Sequence, residues 1–294
     1  MDRVKKIIHY RCKDTLENRV RGRGVVVAVL DTGLAPHPDF EGRVVSFQDM
    51  TGHRKEPYDD SGHGTHVTGI LLGDGRMSKG ILSGIAPGAE VAAVKVLDQK
   101  GEGDVETILS GIGWVLENRR RMGIRIVNLS VGAKTGLDLK KEQEFVEAVE
   151  QMWNEGLIVV VSAGNQGPGE GTVAVPGTSR KVITVGALKT DMKIRDCSGQ
   201  GPTKECVVKP DLLAPGYQIL SCGSRFGRKY GYYTVKSGTS MAAPVVSGAV
   251  ALYLSKYPDA QNVEIKLRLI QTCRELEQKR IGRRCLDVES FLMW

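Results

Sequence analysis

Aromatic residues are scarce in this chain, at 5% of its 294 positions. No recognised nucleic-acid motif accompanies the basic runs Arg19–Arg23, Arg119–Arg121, Arg225–Lys229 and Lys279–Arg284. The net charge of +7 therefore reads as a dispersed, solvated basic surface, with no nucleic-acid partner expected. Long apolar runs are missing too. None approaches the ~20 residues of a membrane span, so no membrane partner is expected. The start, Met1-Asp-Arg-Val-Lys-Lys-Ile-Ile-His-Tyr10, is charged and lacks the apolar stretch of a secretory signal, which predicts a cytoplasmic protein. The six cysteines (Cys12, Cys197, Cys206, Cys222, Cys273, Cys285) show no zinc-binding spacing. In a reducing compartment they stay free thiols. Elsewhere, Cys197 with Cys206 and Cys273 with Cys285 are near enough in sequence to pair. Without repeat, low-complexity tract or linker, and with 41% hydrophobic content, the chain reads as one domain with a substantial core. Nothing in the sequence fixes an oligomeric state.

What is present is a set of short polar motifs at the ends of apolar runs. Gly238-Thr-Ser-Met-Ala-Ala-Pro244 sets Ser240 among small residues where an apolar helix begins. The free N–H groups and partial positive charge of a helix start suit a developing oxyanion, and small neighbours leave room for a substrate carbonyl. On its own such a stretch is also a packing device. Val25-Val-Val-Ala-Val-Leu30 reads as a strand buried on both faces, with Asp31 at its carboxyl end and Gly33 following. Open α/β sheets place their sites at that end. Asp60-Ser-Gly-His63-Gly-Thr-His66 opens a further apolar helix, and Val159-Val-Val-Ser-Ala-Gly-Asn165 ends another valine-rich strand on an amide.

Between these motifs, strands and helices alternate. Val91–Leu97, Ile124–Leu129, 157–161 and Val182–Gly186 read as strands. Asp104 caps a helix with Val105, Ile108, Leu109, Ile112 and Leu116 on one face, and 141–155 reads as a helix through Phe145, Val149 and Trp153. The alternation predicts an α/β fold, a single domain with a mostly parallel β-sheet flanked by helices on both faces.

Through D-T-G, H-G-T-H, S-A-G-N and G-T-S-M-A-A-P, from about Val25 to about Leu254, the sequence resembles the subtilase family of serine proteases. The chain order Asp31, His63, Ser240 is the subtilisin order. The resemblance implies a serine endopeptidase acting on peptide or protein substrates through an acyl-enzyme. Ser240 would be the nucleophile, His63 rather than His66 the base, Asp31 its orienter and Asn165 the oxyanion donor. It also implies a substrate bound as an extended strand between Ser130-Val131-Gly132 and Gly101-Glu102-Gly103. Ala163 and Gly164 would wall the S1 pocket, with Ala174 near its base and Gln166 at its rim, a small uncharged pocket for an apolar or medium-sized P1 residue. Glu102 and Asp104, two apart, would favour basic residues before P1.

Residues 1–24 read as a short N-terminal extension and 25–294 as the catalytic domain, most like the intracellular branch of the family. Lys5–Tyr10, with two isoleucines and a tyrosine, would either lie across the active site and hold the enzyme inactive or be a surface-docked tail. The chemistry needs no metal or other cofactor. Many members hold a structural calcium in a loop matched here by Gly73-Asp-Gly-Arg-Met-Ser-Lys-Gly80, which offers one carboxylate and two cations. Calcium takes six to eight oxygens, so this departure counts against the usual site. Other readings use the same residues. An aspartic protease would use Asp31-Thr-Gly33 and Asp60-Ser-Gly62 from two equivalent lobes, but the chain has no repeated halves and Ser240 and Asn165 would go unexplained. A degenerate subtilase would keep the fold as a peptide-binding or regulatory module.

Overall fold

Apolar strands with β-branched residues build the centre of the molecule. In the computed structural model, which describes residues 1–131, 138–189, 191, 193, 197–227, 229, 231–276 and 284–293, eleven strands form. They are β1 (Val26–Asp31), β2 (Val44–Asp49), β3 (Glu90–Lys95), β4 (Ile124–Leu129), β5 (Ile158–Ser162), β6 (Ile183–Leu188) and β7 (Leu212–Pro215), then β8 (Ile219–Gly227), β9 (Gly231–Lys236), β10 (Arg274–Glu275) and β11 (Arg284–Cys285). Nine of them make one sheet in the order β10-β11-β7-β6-β5-β4-β1-β3-β2. Within it only β10 and β11 pair antiparallel; the other pairings are parallel. β8 and β9 form a separate antiparallel hairpin. Strands β1, β5, β6 and β7 are buried along their whole length, as parallel strands covered on both faces must be.

The helices are α1 (Asp2–Ile7), α2 (Lys13–Leu16), α3 (His63–Leu72), α4 (Val105–Met122), α5 (Leu139–Asn154), α6 (Thr239–Lys256), α7 (Asn262–Thr272) and α8 (Val288–Leu292). α3 and α6 pack together on one face, and α4 and α5 pack together on the other. Asp104 caps α4 by accepting the Thr107 N–H at 2.6 Å, and Gly123 (φ +66°) ends that helix in the left-handed conformation. α6 is buried almost throughout, so it runs through the core as a rod of about 27 Å. Among the described residues no helix is long and apolar enough to cross a membrane. All six cysteines are free thiols.

From β1 the chain leaves toward β2 at one edge of the sheet, and from β4 it leaves toward β5 on the other side. The connections therefore diverge between the neighbouring strands β1 and β4. A crevice at the carboxyl ends of those two strands is where an open α/β sheet presents ligand sites. Asp31 ends β1, Ser130 follows directly on β4 and Asn165 comes three residues after β5, all at that edge.

The N-terminal segment does not lie where the reading of Lys5–Tyr10 put it. Ile8 is fully buried and its carbonyl accepts the Val288 N–H at the start of α8. His9 bonds Asp287 at 2.8 Å, and the Arg274 guanidinium donates to the Ile7 carbonyl. α8 in turn stacks Phe291 on Tyr253, late in α6. Lys256, at the end of that helix, donates to Asp14 and to the Leu292 carbonyl. Ser240 and Lys256 are sixteen helical positions apart, about 24 Å. The isoleucines and Tyr10 thus serve the core beside α8 and the C-terminal part of α6.

Candidate active site

β1 delivers the Asp31 carboxylate, 1% exposed, to the carboxyl edge of the sheet. Its Oδ1 accepts the Thr32 N–H at 2.7 Å and stands 2.6 Å from Nδ1 of His63, the first residue of α3. An ionised carboxylate only accepts, so His63 carries its proton on Nδ1, which leaves Nε2 as the basic atom. Burial works against the charged imidazolium. The charge and hydrogen bond of Asp31 outweigh it, and His63 is held above the ordinary histidine value.

α3 can approach Asp31 this closely because residue 64 is glycine: a Cβ there would meet the Gly33 carbonyl at 2.3 Å and Asp31 Cβ at 3.1 Å. His66, one turn on, faces away from Asp31. Its Nε2 donates to the carbonyls of Ile219 and Thr234 on the β8–β9 hairpin, and burial pushes its pKa down to about 3, so it stays neutral.

Ser240 sits in the first turn of α6, after Gly238. Its hydroxyl donates to the Ser130 carbonyl at 3.2 Å, and the Ser130 hydroxyl donates back to the Ser240 carbonyl at 3.2 Å. Asn128 Nδ2 donates to the Ser130 hydroxyl at 3.0 Å, and Ser247, two turns along α6, donates to Asn128 Oδ1 at 2.8 Å. Among the described residues the Ser240 hydroxyl makes this bond and none to His63. Asn165 Oδ1 accepts the Thr239 N–H at 3.2 Å, and the Cys197 thiol lies 3.9 Å from the same oxygen. With Oδ1 committed as acceptor, the side of the amide that addresses a carbonyl oxygen is its NH₂.

The residues read as substrate edges fall on both sides of this centre. Ser130 and Val131 are 5% exposed, at the end of β4; Gly132 lies outside the described residues. Gly101 (φ +77°), Glu102 and Gly103 are exposed in a loop folded on itself, where Asp98 accepts the N–H groups of Lys100 and Glu102. Gly103 packs so tightly on β3 that a Cβ would meet the Val96 carbonyl at 2.6 Å. Asp104, read both as the cap of α4 and beside Glu102, accepts the Thr107 N–H and caps α4. Ala163, Gly164, Gln166 and Ala174 are brought together around Gly164 (φ +86°), where a Cβ would meet Ala174 Cβ at 2.5 Å and Gln166 Oε1 at 2.6 Å. The Ala174 N–H donates to the Ala163 carbonyl at 2.9 Å.

Three polar groups that sequence reasoning passed over hold this arrangement. Lys95, 1% exposed at the end of β3, donates to the Thr32 carbonyl (2.7 Å), the Leu97 carbonyl (2.7 Å) and Asp60 (2.9 Å). One ammonium thereby ties the Asp31 turn, the lead-in to His63 and the root of the Gly101–Gly103 loop. Asp59 accepts from the Thr32 hydroxyl, the Thr65 hydroxyl and the N–H groups of Ser61, Gly62 and Thr65, joining β1 to α3. Asn128 is the third. The signal was a polar residue within a largely apolar strand, Lys95 in Val91-Ala-Ala-Val-Lys-Val-Leu97 and Asn128 beside Val127 and Leu129 in Ile124-Arg-Ile-Val-Asn-Leu129. Buried polar groups are kept only where they are fully bonded, so each marks a network.

Comparisons with known proteins agree with this geometry. The subtilase family model matches residues 22–285. Serine protease AprX of Bacillus subtilis (strain 168) is 42% identical over 265 residues, covering 83% of this chain and 60% of that protein. The intracellular serine protease of Paenibacillus polymyxa is 36% identical over 243 residues, covering 80% of this chain and 68% of that protein. Among solved structures, sphericase superimposes with a TM-score of 0.77 at 30% identity, covering 92% of this chain and 88% of its own. A cold-adapted subtilisin-like serine proteinase gives 0.75 at 29% identity. With the nine-stranded sheet, the Asp31–His63 pair and the placing of Ser240 at the head of α6, these matches lead to one conclusion: the chain belongs to the subtilase family.

Proposed function

We propose that the chain is a serine endopeptidase that cleaves peptide bonds through Asp31, His63 and Ser240, with Asn165 as oxyanion donor. The observation that carries this is the 2.6 Å contact between the buried Asp31 carboxylate and His63 Nδ1, in a chain that sets Ser240 in the first turn of α6. Rotation about the Ser240 Cα–Cβ bond takes its hydroxyl from the Ser130 carbonyl to His63 Nε2. His63 then takes the hydroxyl proton as Oγ attacks the scissile carbonyl, while Asp31 stabilises the imidazolium. The oxyanion that forms receives the Asn165 amide and a backbone N–H at the helix start. His63 returns the proton to the leaving amine, and water later resolves the acyl-enzyme by the same exchange. Loss of the Asn165 donor lowers turnover by ~10²–10³, the size found for this donor in a subtilisin.

The substrate is read as an extended strand pairing with the segment after β4 and with the Gly101–Gly103 loop. The small side chains around Gly164 favour an apolar or medium-sized P1 residue. Glu102 is the acidic group on the second edge. The chemistry draws on no cofactor. The Gly73–Gly80 loop does not fit calcium, since Asp74 lies 3.8 Å from Arg43 and 3.7 Å from Arg76, and Asp39 accepts the Met77 N–H. A cytoplasmic location is part of the same reading, supported by an intracellular relative.

A binding module without catalysis draws on one observation, the Ser240 hydroxyl held by Ser130 rather than by His63. A fluorophosphonate probe decides between the two, because it reacts only with a serine served by a base and an oxyanion hole. Stoichiometric labelling at Ser240, lost in Ser240→Ala and His63→Ala, supports the enzyme. A folded chain that does not label is the binding module.

A further inference from the structure

A second cluster of reactive side chains lies behind the active-site edge. His37, Asp39 and Cys222 are 2%, 0% and 2% exposed. One ligand atom from each lies within 4.8 Å of the others. His37 Nδ1 is 3.9 Å from Asp39 Oδ1, and Cys222 Sγ is 3.7 Å from Asp39 Oδ2. We propose that these three side chains form a binding site for a borderline divalent cation of the zinc class, separate from the catalytic centre.

The chemistry of the donor set points to that class. Imidazole, carboxylate and thiolate together suit zinc, whereas calcium and magnesium take oxygen and avoid sulfur. Zinc–ligand bonds of 2.0–2.3 Å place tetrahedral ligand atoms roughly 3.3–3.8 Å apart, so the cluster closes on an ion with small side-chain shifts.

The outer contacts are of the kind that orient metal ligands. His37 Nε2 stands 2.9 Å from the Tyr232 carbonyl, which fixes the proton on Nε2 and the lone pair on Nδ1. That lone pair receives the Asp39 N–H at 3.1 Å and would exchange it for the ion. The Tyr233 hydroxyl donates to Asp39 Oδ2 at 2.8 Å, and the Met77 N–H donates to Oδ1 at 3.0 Å, holding the carboxylate in place. The rings of Phe40, Phe226, Tyr232 and Tyr233, with centroids 5.1–5.9 Å from that of His37, pack the imidazole on several sides.

Charge supplies the second argument. Asp39 is wholly buried, and among the described residues His37 is the one ionisable nitrogen within 4.0 Å of its carboxylate. The nearby Arg43 guanidinium donates instead to the backbone carbonyls of Asp39 and Leu72. A divalent ion with one carboxylate and one thiolate makes a neutral set, which burial favours. Binding breaks the Cys222 S–H bond and forms a metal–sulfur bond, so one proton passes to solvent, without oxidation or reduction. The fourth position falls to water or to the Tyr233 oxygen. The ion would join the Leu34–Phe40 segment to β8 beneath α3, where a Cβ at Gly69 would meet Cys222 Sγ at 2.8 Å.

The test uses the full chain, untagged, stripped with a chelator and carrying Ser240→Ala to prevent self-digestion. It is titrated with Zn²⁺ and, separately, with Co²⁺. One ion per chain is expected, with release of one proton and a near-ultraviolet sulfur-to-cobalt band. Cys222→Ser should remove the band, and both it and His37→Gln should weaken zinc binding by ~100-fold. A chain that keeps Cys222 but carries serine at Cys197, Cys206 and Cys273 should keep the band, which holds the test open if either ligand variant fails to fold. Zinc uptake unchanged by Cys222→Ser, loss of the band in the triple-serine chain, or binding of Ca²⁺ alone would each overturn the site. So would no uptake at all, which would leave the three side chains as a hydrogen-bonded packing cluster.

Discussion

Pro244 has no N–H to offer the Ser240 carbonyl four residues earlier, so the first turn of α6 leaves that oxygen without its helical bond. The Ser130 hydroxyl fills the gap, and the Ser240 hydroxyl leans on Ser130 in return. A proline inside a buried helix therefore fastens the head of that helix to the segment that follows β4. Ser130→Ala orphans the Ser240 carbonyl and should cost about 1–3 kcal/mol of unfolding free energy, read by denaturant titration. Its effect on turnover should be smaller than that of Asn165→Ala.

At His63 the sign of the pH effect is fixed. The imidazolium cannot take the serine proton, so kcat/KM should fall as pH drops through the His63 pKa, which Asp31 holds above the ordinary value. Asp31→Asn removes the charge and should move the midpoint down along with a large loss of rate. A midpoint that stays in place in Asp31→Asn would separate the limb from His63.

Among the elements, the long valine-rich strands could be read directly, because strands covered on both faces have no polar side to confuse the pattern. Ile124–Leu129 has the expected bounds, and the expected 157–161 and Val182–Gly186 shift by a residue or two. The helix expected over 141–155 spans Leu139–Asn154. β2 was not read, since Val44-Val-Ser-Phe-Gln-Asp49 is a half-exposed edge strand with neither a clean alternation nor a buried run. The β8–β9 hairpin was missed for a similar reason: its burial is mixed and its partner is α3 rather than the large sheet.

That hairpin rests on His66, which gives its Nε2 proton to Ile219 and Thr234 and is fully buried. Its folded pKa of about 3 lies far below the unfolded value, so the unfolded chain binds the extra proton on acidification. The stability it contributes is complete above the unfolded pKa and drains away as pH falls toward the folded one. His66→Gln should flatten acid unfolding across that window, as followed by circular dichroism, while lowering stability at neutral pH.

For the molecule as a whole, the two ends of the chain are built into one corner of the core. Val4 (4% exposed), Ile8 (0%) and Tyr10 (8%) belong to the same cluster as Val288, Phe291 and Leu292. Ile8→Ala should therefore cost about 2–5 kcal/mol and lower Tm, with little change in kcat for the folded fraction. A rise in activity on that substitution would return the segment to a role at the active site. That role was legible only as apolar composition: Lys5–Tyr10 announces itself as a segment to be buried, and its address is set by α8, nearly 280 residues downstream in sequence.

The lodging of the N-terminal segment beside α8 and the C-terminal part of α6 also fixes a rate law. The extension is tied through Asp14 to Lys256, about 24 Å along α6 from Ser240, which holds it away from its own cleft. Any trimming of those residues then requires one molecule to act on another. The fraction of chains shortened per unit time should rise in proportion to protein concentration and be suppressed by dilution, whereas processing in cis would run at a fractional rate independent of it.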